Sequence, residues 1–171
     1  MLLEQDLYVL LNLAVNPQRR WTFSSLSQDL LISPSQLHLG LNRANLSGLY
    51  HFDDRRVVKS ALEEFVIHGV RYAYPAERGP IIRGMPTSFA APPLKMQLVL
   101  ASDTNIPVWD DAEGTAVGYS IKPLHLHAPK VCWRDHAFYE ILALVDAIRE
   151  GRARERKLAS EEIHKRLGKS R

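Results

Sequence analysis

Cysteine is nearly absent. A single residue, Cys132, excludes an internal disulfide framework and fits a reducing compartment. Long apolar runs are missing too. The longest, Leu7 to Val15, is interrupted by Asn12 and falls far short of the ~20 residues of a membrane span. No secretory leader is visible, because Glu4 and Asp6 stand where a signal peptide carries Lys or Arg. Neither sign of charge dominates: 22 Lys and Arg face 19 Asp and Glu, a formal +3. The chain has no phosphate-cradling glycine loop, no G-x-S-x-G turn around Ser88, no internal repeat and no low-complexity tract. At 46% hydrophobic and 24% charged, 171 residues are too apolar for disorder. The expectation is a soluble cytoplasmic protein with no membrane association, forming one domain or a small domain with an extension.

The near-neutral total hides zones. Residues 17–83 carry nine bases against six acids, and residues 134–171 ten against seven. The tail bases Arg152, Arg154, Arg156, Lys157, Lys165, Arg166, Lys169 and Arg171 fit a solvated helix face and a frayed terminus.

Apolar spacing organises the first half. Leu7, Leu10, Leu11 and Ala14 predict a helix over 4–15, stopped by Asn16-Pro17. Ser24 or Ser25 would cap a short second helix with Leu26 and Leu30 one turn apart. After a turn through Leu31 and Ile32 comes the clearest start signal: a capping Ser33, Pro34 in the first helical position and Gln36 three residues past the cap. This third helix runs to about Ser47, buries Leu37, Leu41 and Ala44, and ends at Gly48. A fourth is expected from Lys59 to His68, closed by Gly69.

Five of the ten prolines then lie between Pro75 and Pro93, which predicts an extended arm, an edge or a wrapped loop rather than a helix or central strand. A hairpin is expected to pair residues 106–109 with 115–121 across Asp110–Gly114. Two helices follow: one from Asp135 to Gly151 with a stripe of Phe138, Ile141, Leu142, Val145 and Ile148, the other from Arg152 to Leu167.

Two short helices joined by a tight turn, the second strongly capped, form a helix-turn-helix. The major groove of DNA, about 12 Å wide, admits one helix whose amino-terminal half reaches base edges. With Leu37, Leu41 and Ala44 inward, the outer face presents Ser35, Gln36, His38, Leu39, Asn42 and Arg43. Gln and Asn suit adenine, Arg suits guanine, and Leu39 suits a thymine methyl. Arg19, Arg20, Arg55 and Arg56 flank the unit as phosphate contacts. The alternative is a protein-binding tri-helical module, in which the same face is a protein contact.

The run WTFSSLSQDLLISPSQLHLGLNRANLSGLY resembles the core of bacterial winged helix-turn-helix transcriptional regulators of the MarR-like kind, through Trp21, Thr22, Leu26, Ile32-Ser33, Leu37, Leu41, Gly48 and Leu49. The resemblance covers residues 5 to 74 and implies DNA binding by the helix from Pro34, and a homodimer on a palindromic site. Ala44 and Asn45 depart from the family, which often has bulkier apolar and acidic residues there. No standard wing is visible directly after Leu49, and the basic stretch Arg71 to Arg83 would serve as a displaced one. The layout also resembles, more weakly, winged-helix antitoxins that accompany nucleotidyltransferase toxins, which implies a carboxy-terminal part that holds a toxin.

The expected fold class is therefore α+β. A winged helix-turn-helix domain occupies residues 1–74, a Pro-rich loop and β-hairpin extension 75–133, and a helical region for dimerisation or partner binding 134–171. The function expected is a sequence-specific repressor, not an enzyme, with an antitoxin or adaptor as the alternative. His125, His127, Cys132 and His136 are the only cluster of metal-capable residues, but their spacing matches no standard finger, and no cofactor or metal is expected. Cys132 as a nucleophile lacks a local signature. The Arg78-Gly79-Pro80 and Arg83-Gly84-Met85-Pro86 runs fit either an anion site or a proline-braced loop.

Overall fold

The computed structural model describes residues 1–102 and 104–168, so Lys169 and Arg171 lie outside the described residues. It is an α+β arrangement. Among the described residues, no helix is long and apolar enough to cross a membrane.

Helix α1 (Glu4–Val15) buries the predicted Leu7, Leu10, Leu11 and Ala14, and also Asp6, Tyr8, Val9, Asn12 and Leu13. It is covered nearly all round because α3 and α7, introduced below, both pack on it. Helix α2 (Phe23–Leu30) starts one or two residues before the expected cap. Thr22, not Ser24 or Ser25, is its N-cap: the Thr22 hydroxyl accepts from the Ser25 amide at 3.0 Å, while the Ser25 hydroxyl accepts from the Thr22 amide at 2.9 Å. That reciprocal box satisfies two otherwise orphaned donors, which a cap inside the helix would not.

Helix α3 (Pro34–Leu46) begins as predicted. The Ser33 hydroxyl accepts from the Gln36 amide at 3.3 Å and Pro34 opens the first turn. Gly48, at φ 74°, takes the left-handed conformation that returns Leu49 to the core. Ser33→Ala is expected to lower stability by about 1 kcal/mol in equilibrium urea unfolding; a loss within experimental error would mean that the cap holds nothing.

A two-stranded hairpin, β1 (Tyr50–His51) and β2 (Arg56–Val57), follows Leu49 directly, pairing Tyr50 with Val57 and His51 with Arg56. This corrects the expectation that no hairpin follows Leu49 directly; over Arg71–Arg83, read as a displaced wing, lie helix α5 (Val70–Ala73) and part of a later strand. The expected fourth helix is α4 (Lys59–His68).

The proline-rich segment contains a nine-residue strand, β3 (Arg78–Pro86), bonded on both sides. The expectation of an edge or loop is overturned because the prolines sit where the ladder tolerates them: Pro80 falls in the register shift between Arg78 and Ile81, and Pro86, opposite Val108, is the last residue of the strand. Strands β4 (Pro107–Asp110) and β5 (Ala116–Ile121) form where a hairpin was expected but do not pair as one. Both run antiparallel to β3 and therefore parallel to each other, Pro107 opposite Tyr119, in a closed three-stranded unit. Gly84 is the crossover, opposite both Asp110 and Ala116.

Helix α6 (Ala128–Cys132) leads into α7 (His136–Glu150), capped by Asp135, and α8 (Ala153–Leu167) closes the described chain. Ten of the 15 residues of α7 are buried, so it is an internal helix. Its Asp146 and Arg149 form a buried ion pair at 2.7 Å. Arg152, Arg154 and Lys157 lie on an exposed helix face as expected, but the last turn of α8 is engaged. Lys165, Arg166 and Gln97 all donate to Glu162 and, Lys165 foremost, hold its carboxyl down to about 2, while Arg166 also bridges to Glu140 of α7. One contiguous apolar core runs from Leu7 to Leu167 and draws on all three expected segments.

Candidate nucleic-acid interface

The third-helix face predicted from spacing is mostly where it was expected. Ser35, Gln36, His38, Leu39 and Asn42 are exposed, while Leu37, Gly40, Leu41 and Ala44 are buried. Gly40 permits the close approach of α3 to α1, since a Cβ there would meet the Asp6 carboxylate.

Arg43 is the exception. Its Nε and Nη2 donate to the Asp6 carboxylate at 2.7 and 2.8 Å, and the Asp6 side chain is 1% exposed. This bidentate pair ties α3 to α1, so Arg43 works as a strut and not as a free base-reading side chain. Spacing put it outward; its partner lies on another helix, which spacing does not register.

The flanking arginines divide as well. Arg19 is paired with Asp29 of α2. Arg20 is exposed and, among the described residues, makes no hydrogen bond or ion pair. Arg55, at φ 50° in the hairpin turn, lays its guanidinium 4.0 Å over the Trp21 ring and donates to the Trp21 carbonyl at 3.1 Å. Arg56 stands exposed, 3.9 Å from Asp54. Asp53 and Asp54 share the hairpin turn and offset much of its positive charge.

Three side chains to which the sequence assigned no role at the site, Phe23, Phe52 and Asn45, position this surface. Phe23, His38 and Phe52 meet in a row, with the His38 ring 5.6 Å from Phe23 and 5.4 Å from Phe52. This row holds α2, α3 and the hairpin in one orientation. Asn45, noted above as a departure from the family pattern, accepts from the Phe52 amide at 3.1 Å and anchors the hairpin to α3. A polar residue just before a helix stop was the available signal, because Asn there favours local backbone bonding.

Other sequence candidates resolve differently. Among the described residues, no three His, Cys, Asp or Glu side chains gather as a metal site. His125 stacks on Tyr8 at 4.9 Å, and burial lowers its pKa to about 4. Cys132 is buried, and burial pushes its thiol pKa far up, away from the reactive thiolate. Arg78 donates to Glu150 at 3.2 Å and lies 4.5 Å over Tyr119, and Ser88 and Tyr119 donate to the same carboxylate. The Arg78-Gly79-Pro80 run is thus a brace between β3 and α7.

Comparison with protein-family models, with curated proteins and with solved structures finds no match to this chain.

Proposed function

We propose that the protein binds double-stranded DNA through the exposed face of α3 as a sequence-specific transcriptional regulator of winged helix-turn-helix type. The observation that carries this is the outward, amide-rich face of a capped second helix, with a short hairpin fixed beside it.

In this proposal the amino-terminal half of α3 enters the major groove. Gln36 and Asn42 each have one donor and one acceptor to offer an adenine edge, Leu39 meets a thymine methyl, and Ser35 reaches a backbone oxygen. His38, braced by two aromatic rings, presents only its outer edge. Arg20 and Arg56 supply phosphate contacts; Arg55 does so only in part, because its guanidinium also holds Trp21. Occupying a promoter would make it a repressor, and a palindromic site would require a homodimer. The test is selection of bound duplexes from genomic fragments by the purified full chain, then polarisation titration across salt. Affinity should fall steeply with salt while preference for the selected sequence persists; equal binding to scrambled duplex would refute sequence reading.

Binding of a partner protein, such as the toxin of an antitoxin pair, is favoured by a separate observation. The extension exposes the large apolar side chains Ile81, Met96, Val99, Val117, Leu126 and Trp133, the kind of side chain that a protein partner covers. Purification from the native host discriminates: a stoichiometric second protein supports it, and a chain recovered alone counts against it.

A further inference from the structure

The turn between β5 and α6 is anchored at both ends. The Lys122 carbonyl accepts from Arg149 at 3.1 Å, and the Ala128 amide, which opens α6, donates to the His125 carbonyl at 3.0 Å. Between these anchors Leu124 is buried, His125 is half-buried and Leu126 is exposed.

His125 carries a contact from this turn to α1. Its ring stacks on the fully buried Tyr8 at 4.9 Å, and Tyr8 packs in turn on Phe138 of α7. Its Nδ1 accepts from the His127 amide at 3.3 Å, so the ring is neutral there, with its proton on Nε2. A backbone N–H only donates. A proton on Nδ1 would set donor against donor and break that bond.

The groups around it offer an imidazolium no counter-charge. From α1 comes Tyr8, a phenol whose ionisation burial pushes far up. Within the turn lies the His127 ring, 5.4 Å away, which adds like charge once protonated. Near Tyr8 stand Cys132 of α6, held as a buried thiol, and Asp135 at the head of α7. The Asp135 carboxylate already accepts from the Asn16 side chain and the Phe138 amide. The histidines that pair with carboxylates are others, His136 with Glu140 and His164 with Glu63.

We propose that His125 is an acid-sensitive latch: neutral, it fastens the 124–127 turn to α1, and protonation frees that turn and the start of α6 from the Tyr8 face. Because α6 also packs on α2, the latch lies between the amino-terminal helices and the extension. The sign follows from where the proton goes. Burial, then His127, lowers the His125 pKa from 6.5 to about 4. The unfolded chain therefore takes up this proton first, and the stability that His125 contributes is complete at pH 7 and lost as the pH falls through that window.

The test uses the full chain without DNA, so its outcome is independent of the DNA proposal. Urea unfolding is measured at pH 7 and pH 5 for the wild type, for His125→Phe, which keeps a ring on Tyr8, and for His125→Asn, which keeps an acceptor for the His127 amide. Between the two pH values the wild-type folding constant is expected to fall about tenfold further than that of either variant, the other histidines being common to all three. Nuclear magnetic resonance of the wild type reads the latch without any substitution. The His125 ring resonances should hold their neutral position down to pH 5, and below it the Tyr8 ring and the His127 amide should move with them. The proposal is overturned if the three proteins respond to acid alike or if Tyr8 and His127 do not follow His125. It is also overturned if His125 titrates at its ordinary value, since attraction between an imidazolium and the Tyr8 ring would then prevail.

Discussion

Asp146→Ala is expected to remove about 3–5 kcal/mol of stability, the largest effect of any single substitution considered for this chain. Asp146 accepts from the Thr87 hydroxyl and the Trp109 indole, both at 2.7 Å, and from Arg149 at 2.7 Å. Both members of the ion pair have side chains only 1% exposed. Arg149 in turn donates to the carbonyls of Tyr74 at 2.8 Å and Lys122 at 3.1 Å. Removing the carboxylate strands a guanidinium and two neutral donors out of reach of water, and that penalty exceeds the worth of the bonds themselves. A domain of this size has about 5–15 kcal/mol in total, so the variant sits near the edge of folding. Equilibrium urea unfolding followed by tryptophan fluorescence measures it. A loss below about 1 kcal/mol would show that the network is not the keystone between β3, β4 and α7.

Gly84→Val should be nearly as damaging. Gly84 lies where β3 passes from its ladder with β5 to its ladder with β4, and a Cβ there would collide with the Trp109 carbonyl. The obstruction is backbone, which cannot rotate aside as a side-chain tip does. A cost on the order of 3 kcal/mol follows from overpacking so tight a contact. Urea unfolding and amide exchange of residues 108–110 and 116–121 read it out: exchange should accelerate across both strands. Protection unchanged in both would contradict the crossover assigned to this glycine.

The helical part of the fold was legible because its signals are local. Ser33, Pro34 and Gln36 mark a start within four residues, and Leu37, Leu41 and Ala44 mark the inner face of the same helix. The strands were not, since their pairing depends on residues far away. Pro80 looked prohibitive for an internal strand until a register shift placed it off the ladder. The strands after it read as a hairpin because proximity in sequence favours that pairing, but β3 takes the antiparallel bonds of both. Each strand of the β1–β2 hairpin is two residues long, too short to show any alternation.

The candidate interface divides in the same way. Periodicity set the outward positions 35, 36, 38, 39 and 42 correctly. It misassigned Arg43, and it could not see that Arg19 is spent, because Asp6 and Asp29 reach them from other helices. A basic side chain on the outer half of a helix is free only if no acid on a neighbour claims it, and that is a tertiary fact.

The central proposal is that the amides of α3 read base edges. Gln36→Ala and Asn42→Ala combined, both at exposed positions that touch no core, test it most directly against wild type in a polarisation titration on a selected duplex. Each lost bidentate contact is worth about 1–3 kcal/mol, so the double variant should bind roughly 30-fold more weakly or worse. Its dependence on salt should stay unchanged, because no phosphate contact has been removed. Wild-type affinity in the double variant, or no duplex bound by either protein at low salt, would contradict the account.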